Sequence, residues 1–266
     1  METKDLAGKI AVVTGGTQGL GEAISHLFAG RGVSGLVICG RNRTNGEAVA
    51  AEISAIGCRT VFQYADLSNI ADVHSVIATA DRQFGRVDVL VNAAGLTDRS
   101  TILDTSEARF DELFSVNVKA PFFLIQDAAQ VMKREGIHGS IINIQSMAAY
   151  GGAPFISAYS VSKGALATLT KNAAHSLLRY KIRVNGLNVG WMATPGEDRV
   201  MRTYHGAEDG WLEEAAKSRP FGRLIDPREI ARACLYLASD ESGLMTGANI
   251  DFDQGVVGTT GRPLAL

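Results

Sequence analysis

A chain of 266 residues, 46% of them hydrophobic, can bury a sizeable core, and α/β proteins of this length fold as one domain. A formal net charge of -2 with 20% charged residues gives no long-range attraction for nucleic acid or an anionic membrane surface. Cys39, Cys58 and Cys234 show no C-x-x-C spacing, which argues against a disulfide framework and a zinc site and suits a reducing, cytoplasmic compartment. The start Met1-Glu2-Thr3-Lys4-Asp5 lacks an apolar signal core, and no later run approaches the ~18 apolar residues of a membrane span.

Short β-branched runs alternate with longer amphipathic stretches, the pattern of a parallel sheet covered by helices on both faces. Ile10 to Val13 predicts the first strand, Gly19 to Arg31 a helix, Leu36 to Cys39 the second strand, Glu47 to Ile56 a helix and Thr60 to Phe62 the third strand. Val73 to Phe84 follows as a helix, Val87 to Val91 as a strand, Phe110 to Arg134 as one long helix and Ser140 to Ile144 as a strand. A helix from Ser157 to Arg179, a strand at Ile182 to Leu187, a helix at Arg228 to Ala238 and a strand at Asn249 to Phe252 complete the set. The expectation is one doubly wound, Rossmann-type α/β domain over residues 1–266, with about seven parallel strands. Trp191 to Pro220 shows neither period and is expected to be an irregular substrate lid carrying Trp191, Met192, His205 and Trp211.

Directly after the first strand, Thr14-Gly15-Gly16-Thr17-Gln18-Gly19-Leu20-Gly21 forms a Gly-rich turn opening a helix. Glycines allow a tight turn and close backbone approach, so N–H groups at the helix start can face a pyrophosphate. No Gly-Lys-Ser/Thr follows, which excludes a P-loop. After the second strand comes Cys39-Gly40-Arg41-Asn42-Arg43, without the carboxylate that holds a ribose 2′-hydroxyl in NAD sites. Arg41 can instead give planar charge-assisted hydrogen bonds to a 2′-phosphate, so NADP(H) is favoured over NAD(H). A solvated loop charge remains the plain alternative for Arg41 and Arg43.

In Ser157-Ala158-Tyr159-Ser160-Val161-Ser162-Lys163, Tyr159 and Lys163 stand four apart on a helix and share a face. An ammonium beside a phenol favours phenolate and suits the phenol to general acid/base work near neutral pH. Such a pair alone is weak evidence, because helices carry it by chance.

Taken together, the motifs resemble the short-chain dehydrogenase/reductase family over nearly the whole chain. The resemblance rests on Thr14 to Gly21 as T-G-x-x-x-G-x-G, Asn92-Ala93-Ala94-Gly95 as N-A-A-G, Asn117 in Ser-Val-Asn-Val, Ser146 after the fifth strand, and Tyr159 with Lys163 as Y-x-x-x-K. It implies that Ser146 polarises the substrate oxygen, Tyr159 exchanges its proton, Lys163 holds the nicotinamide ribose and lowers the tyrosine pKa, and Asn117 supports a water chain. It also implies cofactor contacts from Gly15, Thr17, Gln18, Gly19, Leu20, Gly21, Asp66, Leu67, Asn92, Ala93, Gly95, Tyr159, Lys163, Gly190 and Thr194. Asn92 and Gly95 are expected to support the central sheet and leave room for the cofactor; Asp66 sits where the family contacts adenine, although it would equally cap the next helix. Two positions depart from the pattern: Val189-Gly190 replaces the usual Pro-Gly, and Gln18 stands where many NADP-binding members carry Arg or Lys.

The implied activity is reversible interconversion of a secondary alcohol and a ketone by hydride transfer, on a sugar, polyol or other small polar carbonyl. A 3-oxoacyl thioester reductase is the nearer alternative, and a non-catalytic nucleotide sensor or a sugar-nucleotide epimerase the more distant ones. His26, His74, His138 and His175 lack i, i+4 pairing with one another and suggest no metal site; His205, in the lid, is the one expected to touch a polar substrate. Small residues Gly164, Ala165 and Ala167 permit close helix packing, and the resemblance implies a homotetramer or homodimer.

Overall fold

β1 (Ile10–Thr14), β2 (Gly35–Gly40), β3 (Thr60–Tyr64), β4 (Val89–Asn92), β5 (Ser140–Ser146), β6 (Arg183–Val189) and β7 (Asn249–Phe252) form one sheet in the order β3-β2-β1-β4-β5-β6-β7. Every pairing is parallel, with Val12 opposite Val37 and Leu90, and Asn92 opposite Thr14 and Asn143. These facts come from a computed structural model describing residues 4–259. The expected domain is therefore described over that span, and Met1-Glu2-Thr3 and residues 260–266 lie outside it.

The period-two alternation of a strand explains the sequence pattern. In β1, Ala11 and Val13 enter one apolar layer and Val12 the other; in β2, Leu36 and Ile38 oppose Val37 and Cys39; in β4, Val89 and Val91 oppose Leu90. All are fully buried, so these strands read as unbroken apolar runs. The first layer is closed by α1 (Gly19–Gly30) and α2 (Arg43–Ala55), together with a late helix, through Ile24, Phe28 and Ile53. The opposite layer is closed by α3 (Ile70–Phe84) and two later helices, with Val76 and Ile77 inward.

Helix starts follow capping rather than the apolar stripe. α2 begins at Arg43, ahead of the expected Glu47, because the Asn42 side chain accepts the Asn45 N–H at 3.0 Å. α3 begins at Ile70 because Asn69 accepts from Ala71 N at 2.9 Å. The single helix expected over 110–134 is three pieces: α4 (Glu107–Phe114), a π-helical turn at Ser115–Lys119, and α5 (Ala120–Arg134). The wide turn places Asn117 inward, a common use of π geometry near functional sites. α6 (Ser157–Leu177) carries Tyr159 and Lys163, and a 3₁₀ turn at Leu178–Tyr180 ends it.

The stretch expected to be irregular instead contains α7 (Pro195–His205) and α8 (Trp211–Lys217). Thr194 accepts the Glu197 N–H at 3.1 Å, Pro195 opens the first turn, and Gly206 closes α7 with φ 60°. These are ordinary start and stop signals; the apolar stripe was missing because neither helix buries a residue completely. Backbone bonds Ala193 N to Ile225 O and Ile225 N to Trp191 O, both 3.0 Å, tie the two ends of the segment together. α9 (Pro227–Ala238), capped reciprocally by Asp226 and Glu229, completes the first layer.

Strand order reverses between β1 and β4, and a crevice opens at their carboxyl ends, where doubly wound sheets bind ligands.

Candidate active site

Two adjoining cavities fill this crevice, and Gln18, Leu20, Arg41, Ala93 and Gly95 line both, so they form one groove. At its narrow end, about 210 Å³, the walls include Gly15, Thr17, Gly21, Arg41, Asp66 and Leu67. The glycines are required by contact. Gly15 has φ 66°, and a Cβ there would stand 3.0 Å from Ala94 Cα; a Cβ on Gly21 would overlap the Gly15 carbonyl. Gln18, the N-cap of α1, makes no side-chain cap bond, so the first backbone N–H groups of α1 have no side-chain acceptor. A helix opening left without a side-chain acceptor beside a close backbone turn fits a pyrophosphate. Gly21→Ala should push the turn apart and weaken coenzyme binding at least ~10-fold, read by nicotinamide fluorescence titration.

Arg41 lies at the junction of the cavities, exposed and without an ion pair among the described residues. Arg43 is engaged elsewhere, its guanidinium 4.3 Å above the Tyr64 ring. Asp66 accepts from Ser68 N at 3.0 Å and Ser68 Oγ at 2.8 Å. The Ser68 backbone bond, aided by the Ser68 hydroxyl and the Arg41 charge, holds its carboxyl below the usual range despite partial burial.

The wide end, about 780 Å³, is lined by Ser146, Tyr159, Lys163, Gly190 and Thr194. Ser146 ends β5 and accepts from Ala148 N at 3.1 Å, which fixes its hydroxyl oxygen beside the Tyr159 phenol. Burial pushes the Tyr159 pKa up; the Ser146 hydrogen bond and the Arg99 charge oppose this, and Glu197 adds to it. Lys163 is 4% exposed, donates from Nζ to the Ile144 carbonyl at 3.0 Å, and lies 5.7 Å from the Tyr159 ring centre. Burial brings its pKa down to about 8. Burial acts on both groups, lifting the phenol above its ordinary value and bringing the ammonium below its own, and any stabilisation of phenolate by Lys163 works against that lift.

Asn117 stands behind the wall, fully buried. Its Oδ1 accepts from Leu96 N at 2.8 Å, and Nδ2 donates to Leu96 O at 2.8 Å and Ser162 Oγ at 3.0 Å. It thus locks the loop after β4 to the helix carrying Tyr159. A Cβ on Gly95 would lie 3.3 Å from Lys163 Nζ, so a side chain there would crowd the ammonium.

Gly190 donates its N–H to Phe252 O at 3.0 Å, and a Cβ on it would overlap the Asp253 carboxylate, which explains glycine there without the preceding proline. Thr194 lies across from the Gly-rich turn, its Cβ 3.7 Å from where a Cβ on Gly19 would stand.

Besides Asn117, three expected residues are not on the walls. Asn92 turns into the sheet and donates to Asn143 Oδ1 at 2.8 Å, consistent with sheet support alone. His205 is exposed at the far end of α7, where it accepts from Arg99 Nε at 2.8 Å and meets the Phe155 ring edge-on at 5.4 Å. Trp211 stacks behind Trp191 at 6.2 Å and donates to Asp198 Oδ1 at 2.7 Å, which makes it a support for the lid. Trp191 and Met192 do line the groove. Sequence reasoning missed Arg99, Glu197 and Arg219, all on the wall. Arg99 follows N-A-A-G by four residues, and the carboxyl end of β4 is itself the signal that would have found it. Among the described residues no cluster of three or more His, Cys, Asp or Glu is arranged to hold a metal, and no helix is long and apolar enough to cross a membrane.

Residues 15–257 match a family model described as "Enoyl-(Acyl carrier protein) reductase". The chain is 37% identical to an NADP-dependent (R)-specific alcohol dehydrogenase of Lentilactobacillus kefiri, covering 95% of this chain and 98% of the relative. It is 31% identical to a 2-dehydro-3-deoxy-D-gluconate 5-dehydrogenase of Dickeya dadantii, covering 96% and 98%. Among solved structures, a short-chain type dehydrogenase/reductase from Mycobacterium marinum superposes with a TM-score of 0.87 at 28% identity, over 97% of this chain and 99% of that one. Matches of this extent, with the Gly-rich turn and the Ser146, Tyr159 and Lys163 wall in one groove, place the chain in the short-chain dehydrogenase/reductase family, the oxidoreductases that work with NAD(P).

Proposed function

We propose that this chain is an NADP(H)-dependent reductase of small polar ketones, working reversibly on the corresponding secondary alcohols. The observation that carries the reading is the continuity of the groove from Arg41 and the Gly-rich turn to the Ser146, Tyr159 and Lys163 wall. The turn and the uncapped start of α1 hold the pyrophosphate, and Arg41 takes the 2′-phosphate. Gly190, Thr194 and Lys163 position the nicotinamide half. The bound nicotinamide supplies or accepts the hydride.

Ser146 donates a hydrogen bond to the carbonyl oxygen and orients it. Tyr159 then gives that oxygen its phenolic proton, or removes it in the reverse direction. Lys163 stabilises the resulting phenolate, and Asn117 keeps the Lys163 and Tyr159 helix in register with the loop after β4. A raised Tyr159 pKa keeps the phenol protonated at neutral pH, the form that reduction needs.

The NADP-dependent relative and the absence of any carboxylate in Cys39-Gly40-Arg41-Asn42-Arg43 support the coenzyme choice. Relatives named for an alcohol and for a sugar acid support a small polar substrate. Cytoplasmic location and a homotetramer or homodimer belong to the same proposal.

Arg41→Ala should weaken NADPH binding at least ~10-fold and NADH binding little, because only the former loses a charge-assisted contact. Parallel titrations with both coenzymes read this, and equal losses would remove Arg41 from the phosphate site.

A further inference from the structure

Charge in the lid half of the groove is lopsided. Arg99, Arg109, Arg199 and Arg219 line it, against the carboxylates of Glu197 and Asp253. Arg109 is neutralised by Asp98 at 3.1 Å and by Glu112. Arg99 is only 14% exposed and lies 3.6 Å from Glu197, which itself takes the Trp191 indole N–H at 2.8 Å. Arg199 and Arg219 hold no carboxylate among the described residues, whereas Arg202, Arg223 and Arg228 just outside the groove each do.

Arg219 is half-buried and held in place. Its guanidinium stacks 5.1 Å from the Trp191 ring centre, and its Nε donates to Ser218 Oγ at 3.1 Å. Trp191 is in turn fixed by Glu197 and Trp211. Both Glu197 and Arg99 are close enough to Tyr159 to act on its phenol. A linked set of side chains therefore runs from the reacting tyrosine to a stacked, partly desolvated cation that holds no carboxylate among the described residues. Stacking orients the guanidinium fork and leaves its terminal N–H groups for a planar anion.

We propose that Arg219, with Arg199 as a second charge, forms a carboxylate subsite, and that the substrate is an oxo acid, or the hydroxy acid in reverse, rather than a neutral ketone. This rests on the reading of the groove as a site of carbonyl/alcohol redox chemistry. The carboxylate lies against Arg219 while the carbonyl reaches Ser146 and Tyr159. Confinement within the groove favours a small acid over an acidic carrier protein docking at its rim.

The test compares kcat/KM with NADPH for short oxo acids, each matched with its own primary amide, in the wild type, Arg219→Met and Arg219→Lys. The wild type should prefer acid over amide by about 30-fold or more. That ratio should fall toward one in Arg219→Met, recover in part in Arg219→Lys, and shrink with added salt for the wild type. Equal use of acids and amides, or an unchanged ratio in Arg219→Met, overturns the subsite. So does a loss of NADPH affinity in Arg219→Met as large as the loss of acid use, which would give Arg219 to the coenzyme phosphates. Failure to oxidise NADPH with any acid, amide or neutral diketone counts against the redox reading itself. In that event the same pairs, titrated into the NADPH-saturated protein and followed by nicotinamide fluorescence, still decide whether the acid is preferred.

Discussion

Tyr159→Phe is expected to lower kcat by ~10²–10⁴-fold while leaving NADPH affinity within a factor of about two. Phenylalanine keeps the ring in its place on α6 and removes only the hydroxyl, so the loss reports proton transfer to the substrate oxygen. On a transition-state scale it corresponds to about 3–5 kcal/mol. The Ser146 hydrogen bond to the phenol is lost as well, but Ser146 remains positioned through Ala148 N. Steady-state kinetics with a coenzyme titration check this. Near-wild-type turnover would remove Tyr159 from the proton step, and a parallel loss of NADPH binding would point to a disturbed fold.

Lys163→Met separates function from stability. Lys163 titrates near 8 in the native groove against 10.5 ordinarily, so charging it at pH 7 costs about 3 kcal/mol of native stability. Below pH 8 both native and unfolded forms carry the proton, and the full cost is present. Between about 8 and 10.5 the unfolded chain binds more protons, so wild-type stability rises with pH across that window. Methionine removes the cost together with the charge-assisted hydrogen bond to the buried Ile144 O, worth about 2 kcal/mol. The variant without coenzyme should therefore be about 1 kcal/mol more stable at pH 7, with the advantage lost toward pH 10. Its turnover should fall at least ~100-fold, through loss of the phenolate's partner. Urea unfolding at several pH values reads the first part, and identical pH slopes in both proteins would contradict it.

Much of the fold and of the candidate site is legible in the sequence, for identifiable reasons. Strands such as Ile10 to Val13 announce themselves because both faces of a parallel sheet must be apolar. The Gly-rich turn announces itself because Gly15 and Gly21 have no room for a Cβ. The Tyr159 and Lys163 pair follows from helical spacing.

What the sequence hid falls into two kinds. α7 and α8 lie on the surface and bury no residue completely, so the apolar period that reveals helices is absent, and only Thr194, Pro195 and Gly206 mark the first of them. The second kind is distance. Arg99, Glu197, Arg219 and Trp191 meet only after the loop past β4 folds against the lid, and no local spacing records that meeting. The opposite error has the same source: His205 and Trp211 belong to the right segment, but α7 and α8 turn them away from the groove. Helical spacing predicts the proximity of Tyr159 and Lys163 but says nothing of the burial that raises the one and lowers the other.

The most direct test of the account is titration of the purified protein with NADPH and NADH, followed by nicotinamide absorbance during exposure to small polar ketones. The account predicts tighter binding of NADPH and its oxidation by at least one such ketone. Binding of neither coenzyme, or a clear preference for NADH, would contradict it.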